Sequence, residues 1–120
     1  FKNAGIRVSV FVDADPIMVE YAAKAGADRV ELYTGPYAEV YAEDPKKAIE
    51  LYRPAAEKAR ELQLGLNAGH DLNLCNLKAF AQAFPWVDEV SIGHALIADA
   101  LYLGIEETIK QYKYALSSSN

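Results

Sequence analysis

The chain has 120 residues, of which 52% are hydrophobic and 24% charged, the balance of one folded unit and not of a disordered or fibrous segment. Twelve Lys and Arg against seventeen Asp and Glu give a net charge of -5, and only Lys46 and Lys47 are adjacent. That distribution excludes the dense basic surface needed by nucleic acid or an anionic membrane as a partner.

In chain order, the first β-branched run, Arg7 to Val12, is a predicted strand. Asp15 before Pro16 then opens a helix, because Asp accepts the orphan amides and Pro gives up only a donor that had no partner. Arg29 to Thr34 is the second strand. Asp44 before Pro45 opens the second helical pattern, which Pro54 is expected to kink or split. Leu64 to Ala68 and Glu89 to Ile92 are the third and fourth strands, and a last helix runs near Ile105 to Leu116. Gly26, Gly65 and Gly104 are expected to close helical segments or the turns after them, where a left-handed backbone costs Gly little. Residues 1–116 form the expected domain, and Ser117-Ser118-Ser119-Asn120 is a polar tail.

Strands alternating with helices require a parallel sheet. Val8, Val10, Val12, Val30, Leu32, Leu64, Leu66, Val90 and Ile92 share one parity, so one face of the sheet is aliphatic. The other parity carries Phe11, Asp13, Arg29, Glu31, Tyr33, Asn67 and Glu89. Central strands of a doubly wound sheet are apolar on both faces, and these are not. The pattern predicts an α/β fold of TIM-barrel type with four βα units, half of the usual (β/α)8 set.

The single Cys75 cannot form an internal disulfide and is expected as a packed or helix-surface thiol, which fits a reducing, cytoplasmic setting. No apolar run approaches the ~18 residues of a membrane span, and Phe1-Lys2-Asn3 is no signal peptide, so a chain without a leader is expected. No metal or cofactor site is suggested.

The third and fourth strands both lead into Gly-His, as Asn67-Ala68-Gly69-His70-Asp71 and Ser91-Ile92-Gly93-His94-Ala95. Barrel active sites lie at the carboxyl ends of the strands, and the last two loops often hold phosphate on glycine amides and a helix N-terminus. Gly69 and Gly93 are placed for that task; the plainer reading has His70 capping a helix near Asn73 and His94 simply opening the last helical region. Glu31 lies mid-strand on the inward face, where a carboxylate either pairs with a cation such as Arg29 or serves the reaction. Asn67 and Ser91 are neutral lumen groups able to orient a ligand or satisfy Glu31, and Asp13 is a further candidate. Tyr33, Tyr37 and Tyr41 are expected to pack a loop, an interface or a helical face.

The ordered motifs Val8-Ser9-Val10-Phe11-Val12-Asp13, Val30-Glu31-Leu32-Tyr33-Thr34-Gly35-Pro36-Tyr37-Ala38, Leu66-Asn67-Ala68-Gly69-His70 and Ser91-Ile92-Gly93-His94-Ala95-Leu96-Ile97 resemble the pyridoxine 5'-phosphate synthase family, from Gly5 to Leu116. The resemblance implies a TIM barrel that condenses 1-deoxy-D-xylulose 5-phosphate with 3-amino-2-oxopropyl phosphate, releasing phosphate and water as it closes the pyridine ring of vitamin B6. It implies that His70 is the proton donor, that Glu31 stabilises the transition state, and that Gly93 and His94 bind the phosphate of the amino-ketone. The residue after His70, usually Gly in the family, helps bind the same substrate. Here it is Asp71, whose carboxylate would repel phosphate unless turned away.

Only the carboxyl half of that barrel, strands five to eight, is matched. The motifs of the first half, which carry the general-base histidine, a second catalytic carboxylate, and the arginine and histidine that hold the deoxyxylulose phosphate, have no counterpart in the 120 residues. The segment by itself is therefore expected to be inactive. The expected partners are phosphorylated small molecules, together with the missing amino-terminal half barrel or further copies of the chain, since the family forms octamers. Two alternatives are a non-catalytic phosphate-binding half-barrel scaffold and an unrelated phosphate-handling barrel enzyme; the lack of an inward strand Lys weighs against Schiff-base chemistry in the latter.

Overall fold

The computed structural model describes residues 4–117. Four strands, β1 (Ser9–Val12), β2 (Arg29–Leu32), β3 (Gly65–Gly69) and β4 (Val87–Ser91), form one sheet. Six helices accompany them: α1 (Pro16–Lys24), α2 (Gly35–Tyr41), α3 (Pro45–Glu61), α4 (Leu77–Ala83), α5 (His94–Leu103) and α6 (Ile105–Ser117). All neighbouring strands are parallel and their spatial order is β1-β2-β3-β4. A sheet that winds always in one direction, without the reversal of order that marks a doubly wound fold, is half of a barrel.

The two strand faces separate as their parity requires, except at the start of β4, where a register shift opposite Leu66 and Asn67 accompanies the packing of Val87 on the core. Val12, Val30, Leu32, Leu66 and Ala68 are buried in a core shared with Val19 of α1, Tyr37 of α2, Tyr52 of α3 and Phe80 of α4. On the lumen face Ser9, Phe11, Glu89 and Ser91 are exposed. An aromatic column ties the helical layer together: Tyr37 to Phe80 at 5.1 Å, Phe80 to Phe84 at 5.0 Å and Phe84 to Trp86 at 5.8 Å, all edge-on. Such pairs add about 0.5–1.5 kcal/mol each beyond the area that they bury.

Asp15 and Asp44 are N-caps as expected, accepting from the amides of Ile17 (2.9 Å) and Lys47 (3.2 Å). A second Asp device closes the amino ends of the strands. Asp28 accepts from the Val8 amide at 2.8 Å and Asp88 from the Leu66 amide at 2.9 Å, so in each strand pair the residue before or at the start of the second strand caps the first.

Several sequence expectations are corrected. Gly104 ends α5 and Asp44 opens α3 as expected, but a separate helix, α2, precedes α3 across Ala42-Glu43-Asp44. Pro54 does not split α3, which runs unbroken from Pro45 to Glu61 with the ring on its exposed side. Gly65 closes no turn: it begins β3, and the left-handed residue after α3 is Gln63, at φ 59°. Ser117 belongs to α6, whereas Ser118, Ser119 and Asn120 lie outside the described residues. Among the described residues no helix is long and apolar enough to cross a membrane.

Candidate active site

β3 ends in a sharp turn. His70 lies in the left-handed region at φ 64°, the Asp71 amide donates back to the Gly69 carbonyl at 2.8 Å, and the His70 amide donates across to the Ser91 carbonyl of β4 at 2.7 Å. Strand parity would have sent His70 to the helix-covered face with Leu66 and Ala68. The turn leaves its side chain 80% exposed at the carboxyl end of the sheet, with Nδ1 3.5 Å from Asp71 Oδ2. His70 therefore caps no helix. The turn before α4 is closed instead by Asn73, which accepts from the Cys75 and Asn76 amides, and by Asn76, which accepts from the Asn73 amide.

The two candidate phosphate glycines differ. A Cβ on Gly69 would run into the Ser91 carbonyl, so close packing of β3 on β4 requires glycine there. A Cβ on Gly93 would meet nothing within 4 Å, and its φ of -111° suits any residue. Gly93 is the N-cap of α5, no side chain caps that helix, and His94 is its exposed first residue. The first amides of α5 thus carry the positive end of the helix dipole with no side-chain cap among the described residues, an arrangement suited to an anion.

On the lumen face Arg29 does not pair with Glu31. Its Nη1 donates to Asn67 Oδ1 at 2.9 Å and lies 3.5 Å from Glu89 Oε2. Asn67 is thereby occupied by Arg29. The half-buried Glu31, which sits between Phe11 and Asn67 in the register, has no side-chain hydrogen bond or ion pair among the described residues. Tyr33 packs tilted on Phe11 at 5.8 Å, and Asp13 lies with it along an open groove bounded by Pro36 of α2 and Leu51 and Tyr52 of α3.

Below the turn is a buried support. Tyr52 of α3 donates to the Tyr33 carbonyl and accepts from the Tyr37 amide at 3.3 Å; Tyr37 in turn donates to the Asn76 carbonyl at 2.7 Å. Burial pushes the Tyr52 phenol up to about 12, with the Tyr37 amide opposing, and pushes Tyr37 higher still. Both hydroxyls therefore stay protonated and hold their bonds at neutral pH.

Residues 1–118 match the family model described as "Pyridoxal phosphate biosynthesis protein PdxJ". Pyridoxine 5'-phosphate synthase of Bacteroides thetaiotaomicron is 66% identical over 116 residues, covering 97% of this chain and 49% of that protein. Those of Bacteroides fragilis (64% over 116 residues, 97% of this chain and 49% of the relative) and Cytophaga hutchinsonii (62% over 112 residues, 93% and 47%) are similar to it as well. The chain belongs to the PdxJ family. It spans about half the length of the curated relatives it matches.

Within this PdxJ half barrel, the structure brings His70, Asp71, Gly69 and Ser91 into direct contact and sets Gly93 and His94 two and three residues beyond Ser91. Glu31 stands further down the lumen, on β2. The supports of the turn, Thr34, Tyr37, Asn73 and Asn76, were not singled out as site residues from sequence. The Asn-x-x-Asn spacing before α4 is a turn signature that would have pointed to the last two.

Proposed function

We propose that this chain is the carboxyl half of a pyridoxine 5'-phosphate synthase, which joins 1-deoxy-D-xylulose 5-phosphate to 3-amino-2-oxopropyl phosphate and releases phosphate and water. The observation that carries this reading is the juxtaposition at the ends of β3 and β4: an exposed histidine on a constrained turn, beside an uncapped helix N-terminus with room at its glycine. The amides of α5 and the His94 side chain receive the amino-ketone phosphate, and His70 delivers a proton to the oxygen that leaves as water. Glu31, free of any competing side-chain partner among the described residues, faces positive charge that develops on the amino-ketone nitrogen in the transition state. Asp71 cannot offer the amide contact of a family glycine, since that amide is already taken by Gly69 and Thr34. Its carboxylate lies 3.5 Å from Nδ1 of the His70 ring, within reach to pair with the imidazole when that ring carries a proton.

The lumen is half built. Among the described residues β1 and β4 each pair with one strand only, α1 exposes Ile17, Met18 and Tyr21, and α5 exposes Ile97, Leu101 and Tyr102. Open strand edges flanked by apolar helix faces favour closure by further βα units. The partner in this reading is the complementary amino-terminal half barrel, which brings the general base and the deoxyxylulose phosphate site. The closed barrels assemble further into homo-oligomers in the cytoplasm.

The test is complementation. The 120-residue chain is assayed alone and joined to the amino-terminal half of the B. thetaiotaomicron relative, with product followed chromatographically. The expected result is pyridoxine 5'-phosphate from the joined protein only, lost in His70→Ala. Product from the chain alone would overturn the half-barrel reading, and phosphate binding without turnover in the joined protein would favour a non-catalytic scaffold.

A further inference from the structure

We propose that Thr34 is a positioning residue for His70, holding it in its left-handed turn from a neighbouring strand end; this rests on the reading of His70 as the proton donor. Thr34 is fully buried, and it is the N-cap of α2, a place where a threonine hydroxyl ordinarily accepts from its own helix. Here it makes no such bond. The Tyr37 amide that a cap would serve goes to the Tyr52 hydroxyl instead, leaving the Thr34 hydroxyl for another use.

That hydroxyl crosses to β3. Thr34 Oγ1 donates to the Gly69 carbonyl and accepts from the Asp71 amide at 3.3 Å, so a single buried oxygen grips the chain on both sides of His70. The turn that it grips is a three-residue turn with positive φ at its centre, a rare and strained form for a residue with a side chain. Such a conformation persists only where the surroundings over-determine it, and here they do. Gly69 and Asp71 are held by Thr34, and the His70 amide is held by Ser91. Without the hydroxyl, the preferred relaxation is back to extended backbone, which turns the imidazole toward the helix-covered face.

The experiment uses the complete barrel, this chain joined to its amino-terminal half. Thr34→Val preserves shape and removes the hydroxyl; Thr34→Ser preserves the hydroxyl. In Thr34→Val, kcat is expected to fall roughly ten- to a hundredfold with KM for both substrates nearly unchanged, the scale of a small misplacement of a reacting group. The His70-dependent limb of the kcat pH profile should shift, and the amide-to-α-proton coupling of His70 in NMR spectra should move toward its extended value. Thr34→Ser should restore all three. An unchanged His70 coupling in Thr34→Val, or equal defects in Val and Ser, would overturn the proposal. A changed coupling with unchanged kcat would support the positioning role and sink the proton-donor reading instead. A measurement that needs no variant is amide exchange: strong protection at Asp71 is expected, and rapid exchange there would also overturn the proposal.

Discussion

A side-chain carbon on Gly69 would collide with the main-chain carbonyl oxygen of Ser91, the same oxygen that receives the His70 amide. Gly69 therefore serves the close approach of β3 to β4, whereas Gly93, with open space where its Cβ would be, has no packing reason to be glycine. Gly69→Ala is expected to destabilise the protein by about 1–3 kcal/mol, as overpacking against backbone does. Gly93→Ala should change stability by less than about 0.5 kcal/mol while weakening the binding of inorganic phosphate to the complete barrel. Urea melts and phosphate titrations of both variants check the contrast, which is lost if the two behave alike.

Tyr37→Phe removes the shorter of two donors to the Asn76 carbonyl and leaves it only the Phe80 amide at 3.4 Å. A loss of about 0.5–1.5 kcal/mol is expected. It should be accompanied by faster amide exchange over residues 70–76, because Asn76 also ties down Asn73 and Asp71. Loss of stability without faster exchange there would mean that Tyr37 supports only the core.

Alkaline pH should unfold the protein cooperatively. Tyr52 ionises near 12 in the folded chain against its ordinary 10.0, and Tyr37 and Tyr112 are raised further, chiefly by burial. Between those values the unfolded chain binds fewer protons than the folded one, so stability is intact below about pH 10 and falls as pH rises through 12. Tyrosinate absorbance of these residues should appear together with the loss of far-ultraviolet circular dichroism; ionisation well before that loss would contradict the burial argument.

Glu31 and Arg29 should part company on substitution. Glu31→Gln removes no side-chain hydrogen bond or ion pair among the described residues, so stability should stay within about 0.5 kcal/mol of wild type. In the complete barrel its kcat should fall by about a hundredfold or more. Arg29→Met instead breaks the bond to Asn67 and is expected to lower stability by about 1–2 kcal/mol. Thermal melts and steady-state assays of the pair decide it, and a stability loss in Glu31→Gln would reveal a partner for the carboxylate.

Pro54 sits in the middle of α3 on an exposed face, where it denies the helix one hydrogen bond. Pro54→Ala should raise stability by about 1–3 kcal/mol, read as a higher urea midpoint at constant slope. A neutral or destabilising effect would show that the ring contributes something the helix needs.

The sequence by itself determined what is local: the parity that separates the aliphatic face from the lumen, the caps at Asp15 and Asp44, and the placing of both Gly-His pairs at strand ends. Each of these rests on neighbours within a few residues, where periodicity and cap chemistry are legible. The tertiary structure decided everything that depends on parallel register. It gave Arg29 to Asn67 and not to Glu31, and it made Gly65 and Gly69 packing residues. It also turned the hydroxyl of Thr34, at a helix cap, toward a histidine turn more than thirty residues away in the chain. In a parallel sheet the partner of any residue lies a whole crossover distant, and no local pattern encodes which lumen groups the closing of that crossover will set side by side.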